Sequence, residues 1–392
     1  MSRCALAVLA LAMVLAPGCG RESGSTAAGD LTAFTVTELL GIGCTGIWTS
    51  DGSGTLRWLA GRGGGSRESP AYPAFRHDGR LTVGLKHPPE NDYPLKDWPL
   101  IDVVSLDEGR LIAARVEYSL IAWSPGRAQL LALALNREGT DFSLVRIDAD
   151  SGRTKTIAPS AGFTFAWLGD GDSIAYLTFE DQDASLWVAN ADGDEARRLA
   201  SNVALQFAAS ADGEQIAFRR SRAQDLLEEL WVVDVETGDE RRLPGPPLPD
   251  FLTPDVWVGP DAVVVHEEFP GAGSEAVDAI RVEVGSGARS VLARDLEIVE
   301  ASRDGSRLLA VRVPALRDDP DTPLIAVVTM RSDGTDERLL AVTDAGLLNL
   351  GNTPVLQPVK RELSAAESLA APPGAEQRCR EMLLALRAKV RS

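Results

Sequence analysis

Hydrophobic residues occur along most of the chain in short runs of four to six, separated by polar turns that contain Asp-Gly or Ser-Gly pairs. Val, Ile, Leu and aromatic residues dominate these runs, which is typical of β-strands, and glycine supplies the positive φ of a tight hairpin turn. No sustained helical periodicity is present between residues 35 and 358. The pattern therefore predicts an all-β fold and disfavours α-solenoids and Rossmann layers.

These runs belong to a repeating unit. One copy begins with WSPG at Trp123, continues with apolar runs at 130–135 and 144–148, and has a DSG turn at 150–152. Copies start near residues 75, 123, 167, 207, 257 and 299, so successive starts are 48, 44, 40, 50 and 42 residues apart. A spacing in the forties that holds four short strands is the signature of one β-propeller blade per repeat.

The number of blades follows from the chain ends. Residues 47–59 match the second half of a blade and have no first half before them, and residues 347–358 can supply the missing inner strands. Because one blade cannot cover both of its own faces, the ring must close. We therefore predict a closed propeller of seven four-stranded blades over residues 34–360, with both chain ends in one blade. Six blades are the alternative.

The repeat resembles the TolB-like class of propeller blades. The resemblance lies in the WSPG start at Trp123 and in the finishing motif with Thr237-Gly238 followed by Arg241-Arg242-Leu243, and it covers roughly residues 45–345. It implies the propeller fold. It implies no single function, because the class includes periplasmic scaffolds, peptidase gating domains and lipoproteins.

The N-terminus predicts export. Arg3 precedes an apolar run at 4–16, which is too short to cross ~30 Å of hydrocarbon and is typical of a signal peptide. The run ends in LAPGC, which resembles the lipobox of bacterial lipoproteins and implies that residues 1–18 are removed and that Cys19 is lipidated. An ordinary signal peptide with an incidental cysteine is the alternative.

The residues after Cys19 indicate where the protein is held. In lipoproteins that this one resembles, Asp after the Cys retains the protein at the inner membrane, and here that position is Gly20. We therefore expect an outer-membrane lipoprotein that faces the periplasm, with the cell surface as an alternative. Residues 19–33 are small and polar, so they are predicted to form a flexible tether.

Two further features concern the C-terminus. Once Cys4 is removed and Cys19 is acylated, Cys44 and Cys379 are the remaining thiols in an oxidising compartment, and they are a candidate disulfide, with two free thiols as the alternative. Residues 361–392 form a predicted helical tail, with helices over 362–371 and 375–390 separated by a Pro-Pro-Gly break.

Charge restricts the choice of partner. The chain has 39 basic and 57 acidic side chains, and its net charge of −18 argues against binding nucleic acid or an anionic membrane through a basic face. We expect a monomer that contacts the membrane only through its lipid and binds a protein or another envelope component. The charge predicts a basic or cation-bridged partner.

Candidate chemistry is sparse. The sequence contains no Gly-x-Ser-x-Gly elbow, and His77, His87 and His266 lack the spacing of a helical metal pair. Acidic turns at 148–150 and 190–194 are better explained as Asx turns than as calcium loops. We therefore predict no catalytic residue, no cofactor and no metal site, and favour a non-enzyme. A propeller enzyme, such as a metal-dependent lyase, lactonase or hydrolase with its site in the central channel, is the alternative.

Two insertions, at 88–99 and 317–323, lengthen loops within their repeats. Insertions in repeat proteins collect on one face, which is often the binding face. The first contains Tyr93, Lys96 and Trp98 and is the candidate recognition loop, although a tolerated surface insertion explains it equally well. The main hypothesis is a lipid-tethered periplasmic propeller that acts as a binding or scaffold module.

Overall fold

The structure of the protein is a computed structural model. The structure describes the following residues: 31–36, 46–50, 56–61, 71–86, 100–135, 142–180, 183–221, 227–249, 255–268, 277–312, 324–344, 355–356, 358, 362–363, 365, 377, 379–381 and 383–385. The predicted signal peptide, Cys19, Cys44, His87, the loop with Tyr93, Lys96 and Trp98, and the insertion at 317–323 lie outside these residues.

The described residues form 28 strands, which pair antiparallel in seven blades. The first three blades contain β1 (Thr32–Val36), β2 (Gly46–Ser50), β3 (Leu56–Gly61), β4 (Ala71–Phe75), β5 (Leu81–Lys86), β6 (Leu100–Ser105), β7 (Leu111–Trp123), β8 (Gln129–Leu135), β9 (Phe142–Asp148) and β10 (Thr154–Ala158). The long strand β7 serves two blades, because its first half pairs with β6 and its last residues pair with β8.

The remaining strands continue the same order. They are β11 (Phe165–Leu168), β12 (Ser173–Glu180), β13 (Asp183–Asn190), β14 (Arg197–Val203), β15 (Phe207–Ala209), β16 (Gln215–Ser221), β17 (Leu227–Asp234), β18 (Glu240–Arg242), β19 (Leu248–Pro249), β20 (Val256–Val258), β21 (Ala262–Glu268), β22 (Val277–Glu283), β23 (Arg289–Ala293), β24 (Glu297–Ala301), β25 (Arg307–Arg312), β26 (Leu324–Arg331), β27 (Arg338–Asp344) and β28 (Val355–Leu356). Blades 4 to 7 begin at β11, β15, β20 and β24, and the short strand β19 pairs with β17 of blade 5.

Blade 1 closes the ring with strands from both chain ends. Its strand order is β28-β1-β2-β3, and β28 pairs with β1 through Thr32 opposite Leu356 and Ala33 opposite Val355. The inner strand β28 also contacts β24 of blade 7 and β4 of blade 2. The prediction of a seven-bladed ring with a shared last blade is therefore confirmed.

Two boundaries differ from the predictions at this closure. Among the described residues of 347–358, the C-terminal segment supplies one strand, the inner strand β28, and the second strand of blade 1 is β1 near the N-terminus. Strand β1 begins at Thr32, so the last two residues of the predicted tether belong to the ring. Thr32 and Ala33 are fully buried in the pairing with β28, which is why their small, polar-looking sequence forms a strand.

Each blade buries both faces against its neighbours. The inner strand β11, for example, is buried at all four positions. Trp123 and Trp167 hold equivalent places in blades 3 and 4, and each indole donates to the preceding blade. Trp123 Nε1 lies 3.0 Å from Thr82 Oγ1, and Trp167 Nε1 lies 2.9 Å from the carbonyl oxygen of Ala122. The tryptophan of the WSPG motif therefore joins adjacent blades.

Arginines join the outer parts of successive blades. Each of blades 2 to 5 contributes a guanidinium that donates to the backbone carbonyl just after the third strand of the next blade. The four pairs are Arg110 with Ala149 (2.7 Å), Arg146 with Ala191 (2.8 Å), Arg197 with Val235, and Arg241 with Val284 (2.7 Å). This contact explains the arginine in the finishing motif at Arg197 and Arg241.

The C-terminal tail is only partly helical where it is described. Residues 377, 379–381 and 383–385 are helical, as predicted, but 362, 363 and 365 are not, so the first predicted helix is wrong at these positions. Leu363 is buried, and its carbonyl oxygen accepts a hydrogen bond from Arg57 Nη1 at 3.2 Å. These residues therefore dock against blade 1 and are not helical.

The later helix packs at the junction of blades 1 and 7. Cys379 and Leu383 are fully buried in one cluster with Phe34 and the stacked pair Trp48 and Trp58. Cys379 is disulfide-bonded. The three other cysteines lie outside the described residues, so the pairing with Cys44 stays a prediction, which the position of Cys44 two residues before β2 favours.

Glycine permits the close approach of adjacent blades around the axis. A Cβ at Gly169 would lie 2.8 Å from the carbonyl oxygen of Asp212 in the next blade, whereas one at Gly152 would have no heavy atom within 4 Å. The two residues have positive φ, +54° and +70°. We predict that Gly152→Ala lowers the unfolding free energy by about 1 kcal/mol, because an alanine is strained at positive φ. Gly169→Ala should lower it by about 2–4 kcal/mol, because its Cβ also overlaps the next blade.

Urea unfolding of the two variants beside the wild type measures this difference. Equal losses of unfolding free energy would show that the blades do not touch at Gly169.

Candidate functional site

The ring has two faces with different connections. One face carries the turns between the first and second strands and between the third and fourth strands of each blade, such as 169–172 and 191–196. We call it the turn face. The other face, the loop face, is where the second strand connects to the third and where one blade connects to the next. Both insertions lie between second and third strands, β5 to β6 and β25 to β26, so they connect at the loop face.

A cavity of about 240 Å³ opens beside the ring axis on the turn face. It is formed by the ends of inner strands β15, β20 and β24 and by the turns that follow them, so blades 5, 6 and 7 contribute to it. The polar residues of its lining are Ser210, Asp212, Glu300, Ser302, Arg303 and Asp304. Its volume is below the ~300–1,000 Å³ of drug-sized ligand sites, so it suits one or two side chains rather than a large cofactor.

Arg303 crosses the opening of the ring. It lies in the first turn of blade 7, and its Nη1 donates to the carbonyl oxygen of Pro125 in the corresponding turn of blade 3 at 3.2 Å. Blades 3 and 7 are not neighbours, so this contact spans the centre of the turn face. Arg303 therefore forms one wall of the cavity and narrows the central channel.

His77 occupies the equivalent turn of blade 2. Burial lowers the pKa of His77 below its usual value, and the nearby cations Arg76 and Arg303 act in the same direction, while Asp78 opposes them. A lowered pKa keeps the imidazole neutral at physiological pH. The turn face thus brings the neutral imidazole of His77 and the guanidinium of Arg303 close to the axis.

The carboxylates of the cavity have different roles. Asp304 accepts hydrogen bonds from Ser302 Oγ at 2.7 Å and from Ser306 N at 3.0 Å. Burial raises the pKa of Asp304, but these hydrogen bonds outweigh burial and hold the pKa below its usual value. Asp212 caps its turn in the same way through Ser210 Oγ at 2.6 Å. Glu300 is on β24 and is only 9% exposed, and it is the third carboxylate of the described lining.

A second polar cluster is fully enclosed between blades 5, 6 and 7. Arg219 Nη2 lies 2.6 Å from Asp255 Oδ1, and Arg219 Nη1 lies 3.6 Å from Glu228 Oε2. Next to them, His266 Nε2 accepts a hydrogen bond from the amide of Ile298 at 2.9 Å. All four residues are at most 4% exposed, so this cluster holds three blades together and offers no access to a ligand.

The structure separates the sequence-predicted residues. His77 is in a turn at the axis and His266 is inside the body, so these two histidines are not brought together, and His87 lies outside the described residues. Cys19, Cys44, Tyr93, Lys96 and Trp98 also lie outside the described residues, and their proposed roles stay predictions. Of the predicted site residues only Cys379 is described, and it is disulfide-bonded.

The acidic turns are Asx turns, as predicted. Asp148 Oδ1 accepts from Ser151 N and Oγ at 2.8 and 2.6 Å, and Asn190 Oδ1 accepts from the amides of Asp192 and Asp194 at 3.0 Å each. Across the described ranges, no group of three or more His, Cys, Asp or Glu side chains is arranged to hold a metal ion.

The sequence reasoning missed Arg303 although the sequence contains a signal for it. The second residue of the turn between the first and second strands is Pro125 in blade 3 and Ala211 in blade 5. In blades 2 and 7 the same position holds His77 and Arg303. In a propeller these equivalent positions meet at the axis. A comparison of equivalent positions across blades would therefore have selected these two residues.

Several solved structures are similar to this chain. The chain resembles TolB-like propellers. TolB from Acinetobacter baumannii matches with a TM-score of 0.42 and 15% identity over 69% of this chain and 67% of that one. The β-propeller domain of the Trilobed protease from Pyrococcus furiosus matches with a TM-score of 0.43 and 14% identity over 57% and 71%.

An oligogalacturonate lyase in complex with manganese has a TM-score of 0.49 and 12% identity over 80% of this chain and 85% of that one. At these identities and TM-scores the likeness supports no statement about function. No protein-family model and no curated protein matches the sequence. Within the part of the chain that the structure describes, no helix combines the length and hydrophobicity that a membrane crossing needs.

His266 makes stability depend on pH. Complete burial, together with the charge of Arg219, lowers the pKa of His266 from 6.5 to about 3. Below pH 6.5 the unfolded chain therefore binds a proton at His266, whereas the folded chain keeps His266 neutral until the pH approaches 3. The unfolding free energy is therefore unaffected by His266 above pH 6.5 and decreases as the pH falls towards 3. We predict that His266 removes up to about 1.4 kcal/mol of unfolding free energy per pH unit in that window.

The measurement is chemical unfolding at pH 7.5, 6 and 5 for the wild type and for His266→Gln, whose amide oxygen can accept from Ile298. The variant should lose less stability on acidification. His77→Gln, at a half-buried site, is the control and should change the slope less. A slope in His266→Gln equal to that of the wild type would contradict the assignment.

Proposed function

We propose that this chain is a lipid-anchored binding module of the bacterial cell envelope and that it recognises a basic segment of a protein partner at the cavity on the turn face. The lipid is carried by Cys19 and the body is on the periplasmic side of the outer membrane. The lipobox-like N-terminus supports the anchor, and the disulfide at Cys379 supports an exported protein, because disulfides persist in oxidising compartments.

The cavity carries the proposal. It is open at the axis, it is contributed by three blades, and Glu300, Asp212 and Asp304 line it against one cation, Arg303. That cation donates to the carbonyl of Pro125, so part of its hydrogen-bonding capacity is used within the ring. The net charge of −18 adds a field that attracts a basic segment. A lysine or arginine side chain is the group that fits this volume and charge.

The cavity and the insertion at 88–99 are candidates for binding on opposite faces of the ring. The cavity is on the turn face, whereas the connection between β5 and β6 is on the loop face. Tyr93, Lys96 and Trp98 remain the candidate contacts of the loop face. One set of variants can therefore decide which face binds.

We predict that Glu300→Gln weakens capture of the partner by about 10-fold, because it removes the buried carboxylate from the cavity at nearly constant volume. Glu214→Gln is the matched control, since Glu214 is exposed in a turn of the same face, does not line the cavity and causes the same change of net charge. The assay is a pull-down from envelope extracts with the mature chain at increasing salt.

The captured protein should be retained by Glu214→Gln and by a deletion of residues 88–99, and its capture should fall as salt rises. Loss of capture on deletion of 88–99 with retention by Glu300→Gln would move the binding site to the loop face. Unfolding midpoints of all variants are measured in parallel, so that a loss of binding is not a loss of folding.

A further inference from the structure

The direction of the chain at β1 determines which face is turned towards the anchor. Thr32, the first residue of β1, pairs with Leu356, the last residue of β28. In blade 4 the corresponding ends, Leu168 of the first strand and Ser173 of the second, pair next to the turn that joins them. The N-terminal segment therefore enters the ring at the turn face, on the second strand from the axis.

We propose that the turn face, with the Arg303 cavity, faces the membrane that holds the lipid, so that its ligand is a basic segment of a protein held in the same membrane. This inference rests on the proposed lipid anchor. It adds the orientation of the ring and the location of the partner.

The length of the tether limits how the ring can turn. Residues 20–30 separate Cys19 from Leu31. A chain of eleven residues spans about 40 Å when it is fully extended, and a random coil of the same length spans ~20 Å on average. To bring the loop face to the membrane, the tether must pass two strand spacings of ~4.8 Å each, over β2 and β3, and then the length of the six-residue strand β3, roughly 30 Å in all. The reversed orientation thus needs a tether stretched well beyond its average coil length.

Charge distinguishes a protein partner from the lipid surface. Anionic headgroups would meet Glu300, Asp212 and Asp304 in the cavity and a body of charge −18. A basic peptide segment gains from the same charges. The turn face is therefore expected to hold a basic segment near the membrane and not to bind the headgroups themselves.

The orientation is tested on the full lipidated chain in vesicles by energy transfer from a protein-bound donor dye to acceptor-labelled lipids. The donor is attached at Leu205→Cys or at Glu214→Cys. Both residues are exposed, and they bracket the inner strand β15 of blade 5, so they differ mainly in depth along the ring axis, by ~20 Å.

Transfer should be stronger from position 214, on the turn face, than from position 205, on the loop face. Insertion of 30 Gly and Ser residues after residue 24 should remove most of this difference. Equal or stronger transfer from position 205 would overturn the orientation, as would a difference that persists with the long tether. A wild-type chain that does not float with the vesicles would instead disprove the lipid anchor itself, and with it this inference.

The partner's location has a separate readout. A short lysine-rich peptide linked to lipid is placed either in the vesicles that carry the protein or in a second population of vesicles. Binding should occur within one vesicle, should weaken with Glu300→Gln but not with Glu214→Gln, and should not link the two populations. Aggregation of the two populations would show that the binding face points outward and would overturn the inference. Equal binding to vesicles with anionic lipid and no peptide would overturn the choice of a protein ligand.

Discussion

Each blade of this protein must be covered on both faces by its neighbours, and the structure depends on this constraint. Strands such as β11 are buried along their whole length, and the contacts that bury them come from adjacent blades. A linear row of blades would leave an apolar face uncovered at each end. The pairing of β28 with β1 removes both ends, because it makes the first and last parts of the chain one blade. The helix with Cys379 packs over the same junction.

The same closure determines the functional geometry. A closed ring brings the equivalent turns of all blades to one axis, where Arg303 of blade 7 can reach Pro125 of blade 3 and where Glu300 lines a cavity contributed by three blades. It also places the entry of the N-terminal segment on the same face as that cavity. Binding chemistry and the direction of the anchor are thus consequences of one topological arrangement.

The repeated motif was predictable because its residues have a repeated physical task. Tryptophans such as Trp167 donate to the preceding blade, and arginines such as Arg241 donate to the next, so both recur at the spacing of the blades. The features that occur once were not predictable from the pattern. Strand β1 is five residues long, and its inner edge pairs with β28, which is more than 300 positions later in the chain. Leu363 is not helical, and Arg57 of blade 1, more than 300 positions earlier in the chain, donates a hydrogen bond to its carbonyl oxygen. Arg303 acquires its role only when distant turns meet.

Hydrogen exchange of two truncated chains tests ring closure most directly. One chain ends at residue 360 and lacks the helical tail, and the other ends at residue 344 and also lacks β28. If closure by β28 holds the ring, the amides of β1 that are protected in the first chain should exchange much faster in the second, and those of β24 in blade 7 should follow. Equal protection of β1 and β24 in the two chains would show that the propeller does not depend on the shared blade.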